Sequence, residues 1–410
     1  MKLEQLKKYR KILILGYGKE GKATEAYLNK YVPDSEVIIA DKRDGNDYLD
    51  KQYECDLVIK TPGIPKHLLK VSYTTATNIF FANKGTCQVV GITGSKGKST
   101  TSSLIYHILQ TAGKNVKLIG NIGNPALTEL LDKPEDDTIF IYELSSYQLD
   151  DIEYSPHICV VVSLFPEHMN YHGTEESYYE AKKRIVHKAT AQDYYVYNPD
   201  YPVLCEWVEQ TKAISIPFET DYVPTDTRLL GAHNLSNIRG AISVARLMGV
   251  ADTISAQAVR TFQPLPHRLE YVGKHKNILF YDDAISTTPE STIAALEALP
   301  FVSTILLGGE DRGYTYDQLV EVLSRKNVGN IVLFPESGAK ILASINKVFQ
   351  KRPNILETHT MEEAVRFAYK YTKKDTICLL STASPSYTLW KNFEEKGAQF
   401  QLYVSQLENE

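Results

Sequence analysis

The sequence predicts an α/β fold of three domains, with two Rossmann-like units on either side of a larger central domain whose sheet is mainly parallel. Three observations carry that expectation. Short apolar runs such as KILILG (11–16), QVVGIT (88–93) and TILLGG (304–309) lead into glycines and then into helical sequence, as buried parallel strands feeding crossover helices do. The same alternation recurs from one end of the chain to the other. At 410 residues the chain is too long for one core, so roughly two to three domains of ordinary size are expected.

In order, KILILG is followed by a glycine turn and the helical stretch ATEAYLNKYV (23–32), then by the strands EVIIAD (36–41) and DLVIKTPGI (56–64). Together they form a small doubly wound unit ending near Lys84. From Gly85 a longer series begins: QVVGIT, KLIG (117–120), TIFIYELSS (138–146) and HICVVVSLF (157–165), ending in a polar region around Thr220 to Leu230. GAHNLSNIRGAISVARLMG (231–249) reads as a helix, and the two prolines of PLPHRLE (264–270) break it. A third α/β series holds NILFYDDA (277–284), TILLGG, NIVLFPES (330–337) and TICLLSTAS (376–384). The boundaries expected are 1–84, 85–265 and 266–410.

Apolar residues at 43% and charged residues at 23% are the balance of a soluble globular protein. A formal charge of -5 without a Lys/Arg block speaks against nucleic acid, whose binding is dominated by cationic contacts to phosphate. Cys55, Cys87, Cys159, Cys205 and Cys378 form no C-x-x-C pair and are read as core thiols in a reducing compartment. MKLEQLKKYRK is not followed by a long apolar segment, and no run reaches membrane-spanning length. A cytoplasmic protein without membrane insertion, acting as a monomer, is expected.

Two glycine-rich turns carry the chemistry. In Gly94-Ser95-Lys96-Gly97-Lys98-Ser99, backbone amides at a helix N-terminus can wrap phosphate oxygens, Lys98 can neutralise charge and Ser99 can ligate Mg²⁺. The strict P-loop pattern needs glycine at 92, where Ile92 stands, so a structural strand-to-helix turn stays open. Gly16-Tyr17-Gly18-Lys19-Glu20-Gly21 satisfies G-x-G-x-x-G, with Asp41 twenty residues past Gly21. Alone, that turn predicts a dinucleotide such as NAD, and an NAD-dependent oxidoreductase is one alternative reading. The unit is too short for a full six-stranded dinucleotide fold.

Thr93-Gly94-Ser95-Lys96-Gly97-Lys98-Ser99-Thr100-Thr101 is the form T-G-[ST]-[NK]-G-K-[ST]-T-T that this loop takes in the Mur ligase family. GNIGNPA (120–126), YELSSYQL (142–149), PEHMNYHG (166–173), YEAKKRI (179–185), GAHNLSN (231–237) and LPHRLE (265–270) follow in that family's order. The chain resembles Mur ligases over essentially its whole length. ELSSYQL, GNIG and the short N-terminal glycine unit are similar to the branch that adds glutamate to UDP-N-acetylmuramoyl-L-alanine.

The resemblance implies a central P-loop-type ATPase domain and an ATP-dependent amide ligase of peptidoglycan precursor synthesis, working through an acyl phosphate. Gly94, Ser95, Lys96, Gly97, Lys98, Ser99 and Thr100 are implied in ATP binding, with Asn234, Asn237, Arg268 and Asp283. It assigns Ser99, Glu143 and His168 to two Mg²⁺ ions and makes Lys182 a lysine carbamylated by CO₂ that supports the second. Lys98, Glu143, His168 and Lys182 form the implied catalytic set. Read from the residues alone, Glu143 is equally a solvated strand-end acid, His168 a hydrogen-bonded histidine and Lys182 a surface lysine. For the UDP-sugar the resemblance implies Gly16, Tyr17, Gly18, Lys19, Glu20, Gly21, Asp41, Lys42, Arg43, Thr61, Pro62, Gly63, Ser145 and Gln148, with Asn121 toward the peptide end.

The C-terminal third departs from the pattern. Where the family carries D-S-K-A-T-N, this chain has Asp283-Ala284-Ile285-Ser286-Thr287-Thr288, so the lysine is Ile285. Arg312 stands where lysine is common, and Asn170 and Ser163 replace an acid and an asparagine. An apolar side chain cannot neutralise an anion, so an acceptor carboxylate must be gripped by Arg312, Thr287 and Ser386, or differently; the resemblance puts Ser386, Tyr387 and Phe393 at the glutamate-binding positions. D-glutamate is the first expectation and L-glutamate its alternative. A folylpolyglutamate-type ligase is a more distant one, because such enzymes lack the N-terminal unit.

Overall fold

A computed structural model describes residues 1–218, 221, 224 and 226–409; Thr220, at the start of the expected polar region, lies outside them. The fold is α/β, built on sheets that are mainly parallel. The chain divides into two compact units, Met1–Thr227 with Ser236–Phe262, and Arg228–Leu235 with Gln263–Glu410.

The first unit holds two sheets. One is a four-stranded parallel sheet in the order β2-β1-β3-β4, formed by β1 (Lys11–Leu15), β2 (Glu36–Ala40), β3 (Leu57–Lys60) and β4 (Tyr73–Thr75). Its central strands are apolar but for Lys11 and Lys60 at their ends, because helices and loops cover both faces. The other is a six-stranded parallel sheet, β10-β9-β8-β5-β7-β6. Its strands are β5 (Gln88–Thr93), β6 (Val116–Gly120), β7 (Ile139–Glu143), β8 (Ile158–Val161), β9 (Tyr194–Tyr197) and β10 (Ile214–Pro217). One hydrophobic cluster runs from Ile12, Ile14 and Phe80 through Phe140 and Tyr142 to Tyr195 and Trp207, so both sheets share a core.

Polar groups pin the two sheets as well. Lys60, at the end of β3, is fully buried and pairs with Asp151 at 2.5 Å, while Tyr73 donates its hydroxyl to the same carboxylate at 2.9 Å. Lys66 pairs with Asp150 at 2.6 Å.

The second unit is a six-stranded sheet in the order β11-β12-β16-β13-β14-β15. It comprises β11 (Glu270–His275), β12 (Ile278–Asp282), β13 (Val302–Gly308), β14 (Asn330–Phe334), β15 (Asn354–Glu357) and β16 (Ile377–Leu380). Only the edge strand β11 is antiparallel, joined to β12 by the tight turn at Lys276 and Asn277, both at positive φ. Two apolar clusters fill the faces of this sheet.

The expectation for the cysteines needs correction. Cys87, Cys159 and Cys378 are buried, but Cys55 is half-buried and Cys205 is exposed on the short helix Pro202–Glu206. Among the described residues no helix is long and apolar enough to cross a membrane.

Candidate active site

The loop 94–97 leaves the C-terminal end of β5, at the centre of the second sheet, and enters the helix Lys98–Thr111. Gly97 is the N-cap residue with φ +85°, a left-handed conformation that glycine adopts at little cost. A Cβ there would fall 2.4 Å from Asn237 Oδ1 and 2.9 Å from Val162 Cγ1. Only glycine allows the loop to lie this close to its neighbours.

Side chains from β8 and beyond hold the loop's shape. Ser95 Oγ donates to the Phe165 carbonyl at 2.7 Å and accepts from the Phe165 amide and the Tyr178 hydroxyl, each at 3.0 Å. Ser163 Oγ accepts from the Lys96 amide at 2.9 Å and donates to the Lys96 carbonyl at 2.8 Å. The serine that replaces an asparagine therefore satisfies the loop backbone directly. Lys96 reaches out to Glu167 at 2.6 Å. None of Ser163, Phe165, Glu167 and Tyr178 was singled out as a site residue from sequence, because a back-support role has no motif of its own.

Lys98 Nζ donates to the carbonyls of Gly94 and Ser95 at 2.8 and 2.7 Å. Lys182, on the helix Glu175–His187, is only 1% exposed and also donates to Gly94 O, at 2.8 Å. Helical periodicity alone makes it a surface lysine; instead it faces the loop. Burial, and then the positive charge of Lys98, push its pKa well down, against the opposing pull of Glu167 and Glu143. Glu143 ends β7 in register with Ile92 of β5 and is 3% exposed. Ser99 lies in the first turn of the helix beside that strand pair. His168 is held at φ +58° ahead of the short helix Met169–His172, with its ring 5.1 Å from that of Tyr147. Burial lowers its pKa, and Lys98, Lys182 and Lys96 act in the same direction. Lys182 thus lies within electrostatic reach of Lys98, Glu143 and His168 around the loop.

Asn237, on the helix Ala232–Leu247, accepts from Thr101 Oγ1 at 3.3 Å and covers Gly97. Thr100 is buried in the first turn of its helix. Asn234, Arg268 and Asp283 belong to the second unit. There Asn234 donates to Leu230 O at 2.7 Å and lines a small cavity together with Arg268. Asp283 accepts from Ser381 Oγ at 2.8 Å and from the Leu269 amide at 3.1 Å; burial raises its carboxyl to about 6.

In the first sheet Gly16 has φ +92°, and a Cβ on it would fall 2.0 Å from Thr61 Oγ1, so the glycine turn and Thr61-Pro62-Gly63 are packed together. Asp41 accepts from the Tyr17 amide at 2.6 Å and pairs with Arg43 at 2.8 Å. Arg43 first, then the Tyr17 amide, hold its carboxyl at about 2. Lys42 follows in the exposed turn Lys42–Asp44, and Gly18, Lys19 and Gly21 open the helix Lys19–Tyr31. Glu20, in the first turn of that helix, accepts from Gln148 of the second sheet at 3.2 Å. Ser145 and Gln148 form a reciprocal cap on the short helix Ser146–Leu149, and the Asn121 amide donates to Glu143 O at 3.3 Å. Glu20 and Gln148, both expected at the UDP-sugar, are therefore in contact.

In the second unit Arg312 is exposed, paired with Glu310 at 2.8 Å, and its guanidinium lies 5.9 Å from the Tyr387 ring centroid. Ser386 is buried, Thr287 is half-buried, and Phe393 meets the His267 ring edge-on at 6.3 Å. Ile285 is half-buried in the loop after β12.

Comparison with known proteins identifies the family. The family model for the Mur ligase middle domain matches residues 92–222, and that for the Mur ligase, glutamate ligase domain matches residues 267–383. The UDP-N-acetylmuramoylalanine–D-glutamate ligase of Christiangramia forsetii is 31% identical over 97% of this chain and 100% of its own. The enzyme of the same name from Streptococcus pyogenes serotype M1 is 33% identical over 95% of this chain and 96% of its own. Among solved structures, the MurF ligase of Thermotoga maritima in complex with ADP shares the fold with a TM-score of 0.62 at 16% identity, covering 97% of this chain and 95% of that one. The UDP-N-acetylmuramate-alanine ligase MurC of the same organism does so with a TM-score of 0.63 at 17% identity, covering 97% and 99%. Identity sustained at this level over nearly the full length makes the chain a member of the Mur ligase family.

Proposed function

We propose that the protein is an ATP-dependent amide ligase that joins D-glutamate to UDP-N-acetylmuramoyl-L-alanine, as a cytoplasmic monomer built from the three domains 1–84, 85–265 and 266–410. The observation that carries the reading is 33% identity over 95% of the chain to relatives named for that reaction. The γ-phosphoryl group of ATP passes to the alanyl carboxylate, giving ADP and an acyl phosphate. The glutamate amine then attacks the acyl carbon, phosphate leaves, a proton is released and the amide forms.

The chain's own groups suit these steps. Loop amides at the N-terminus of the helix Lys98–Thr111 face anionic oxygen, and the Lys98 ammonium, poised on the Gly94 and Ser95 carbonyls, neutralises charge there. The buried Glu143 carboxylate and the Ser99 hydroxyl are the oxygen donors that a hard divalent cation takes, with His168 alongside. Mg²⁺ bound there, as two ions, supplies charge screening between the phosphates and the substrate carboxylate. Lys182 is buried and shifted toward its neutral amine, the form that adds CO₂; the amine nitrogen bonds the carbon, one proton leaves, and the neutral amine becomes a carbamate anion. Glu20, Asp41 and the packed turn at Gly16 and Thr61 belong to the UDP-sugar end. Asn234, Asn237, Arg268 and Asp283 are assigned to ATP, and Thr287, Arg312, Ser386, Tyr387 and Phe393 to the amino acid.

L-glutamate is kept as the second reading because Ile285 puts an apolar side chain in the loop that borders the acceptor residues. The test is ADP release and product mass with UDP-N-acetylmuramoyl-L-alanine and a panel of amino acids, followed by the chirality of the added residue. A D-glutamyl product is expected. Product with L-glutamate alone moves the assignment to the second reading, and no ADP release with any amino acid ends both.

A further inference from the structure

Lys396 is one of the largest fully buried side chains of the protein, with no exposed surface, and it lies in the first turn of the helix Phe393–Gln406. A lysine in such a place needs compensation, because taking an ammonium out of water costs several kcal/mol even after relaxation. Its Nζ donates to Thr382 Oγ1 at 2.5 Å, and the buried carboxylates of Asp282 and Asp283 oppose the drop in its pKa, to about 7, that burial causes. The Trp390 ring lies 6.0 Å from the same nitrogen.

The acceptor of that bond is a junction. Thr382 Oγ1 donates onward to Ser384 O at 3.0 Å and reaches Ser286 O at 3.4 Å, while Ser381 Oγ donates to Asp283 at 2.8 Å. One cation therefore ties together the loop that leaves β12 and the loop that leaves β16. The first carries Thr287 and the second carries Ser386. Ser386 is 3% exposed, and among the described residues its hydroxyl has no hydrogen-bond partner. A buried polar group without a partner is costly, a cost relieved when a ligand accepts the bond. A buried ionic cluster is weak evidence of a purely stabilising role, since an apolar side chain of similar volume often does as well or better.

We propose that Lys396 is a positioning residue for the amino-acid acceptor: by gripping Thr382 and balancing Asp282 and Asp283, it sets the two loops so that Thr287 and the Ser386 hydroxyl converge on an acceptor carboxylate. The proposal rests on the glutamate-ligase reading given above.

The experiment is steady-state kinetics of the full-length protein with each substrate varied in turn. Lys396→Met is expected to raise the KM for glutamate about tenfold or more, with the KM values for ATP and UDP-N-acetylmuramoyl-L-alanine unchanged within about twofold, and Lys396→Arg is expected to recover most of the loss. Thr382→Val removes the acceptor at almost constant volume and is expected to reproduce the same split; it decides the matter if Lys396→Met does not fold. Three KM values rising together, or a fall in kcat or Tm with the glutamate KM unchanged, overturns the proposal. Wild-type protein that ligates no amino acid overturns the functional reading instead.

Discussion

Lys98 and Lys182 donate to one acceptor, the carbonyl oxygen of Gly94, each at 2.8 Å. Two ammonium groups crowded onto one carbonyl repel, and the buried one yields: burial first and the Lys98 charge second depress Lys182. The phosphate loop and the lysine proposed to take up CO₂ are therefore electrostatically coupled. Lys98→Ala and Lys182→Ala are each expected to abolish ADP release, and added short carboxylates are expected to restore part of the activity of Lys182→Ala only. Absence of rescue removes the carbamate and leaves the rest of the mechanism standing.

Coupling also has a direction that can be measured. Removing the Lys98 charge is expected to raise the pKa of Lys182, so less of it is the neutral amine at a given pH. In the Lys98→Ala protein, ¹³CO₂ labelling of Lys182 followed by NMR should need a higher pH than in wild type. Identical labelling profiles in the two proteins would show that burial alone sets the amine.

Gly97→Ala tests the loop's close packing. The new Cβ would meet Asn237 Oδ1 at 2.4 Å on a backbone held at φ +85°. The strain is on the order of 1–3 kcal/mol, since the φ is one that L side chains rarely adopt. Binding of an ATP analogue is expected to weaken by at least tenfold, with a modest drop in Tm. Unchanged nucleotide affinity would mean that the loop can open without loss.

Glu20 makes stability depend on pH. Burial raises its carboxyl from the ordinary 4.5 to about 7, against the opposing effects of the Gln148 hydrogen bond and the Lys60 charge. The folded state holds this proton more tightly than the unfolded chain. The resulting stabilisation is full below 4.5 and is lost as the pH rises through 7. Glu20→Gln is therefore expected to match wild type in Tm near pH 4.5 and to exceed it by a few degrees at pH 8, as calorimetry at the two values can show. Equal melting at pH 8 would place the charged carboxylate in contact with water.

Much of this was legible in the sequence, for physical reasons. Strands buried on both faces, such as Lys11–Leu15, Gln88–Thr93 and Val302–Gly308, show as near-continuous apolar runs. The strands that gave no such signal include Tyr73–Thr75, Ile214–Pro217, Glu270–His275 and Asn354–Glu357, which lie at sheet edges and are partly exposed. Lys98, Glu143, His168 and Lys182 were found through motifs whose spacing is local. Lys396, the Lys60–Asp151 pair and the loop-bracing role of Ser163 were not, because the partner of each is brought to it by the fold from elsewhere in the chain. Lys182 shows the limit of periodicity: the helix Glu175–His187 is amphipathic, and its pattern alone cannot say that one lysine points inward.

The Lys60–Asp151 pair offers the sharpest test of how the two sheets of the first unit are joined. Both side chains are almost inaccessible, at 0% and 5%, and the carboxylate also accepts from Tyr73. Breaking such a pair from one side leaves an uncompensated buried charge, a loss of about 3–5 kcal/mol. Lys60→Met and Asp151→Leu are each expected to lower the stability of the protein by that order in urea unfolding. The double variant removes both charges and is expected to recover much of the loss, because an apolar contact replaces the ion pair without a desolvation penalty. Additive losses in the double variant would instead mean that each residue acts through other neighbours, Lys60 through its bond to Ile64 O at 3.1 Å and Asp151 through the bond it accepts from the Tyr73 hydroxyl at 2.9 Å.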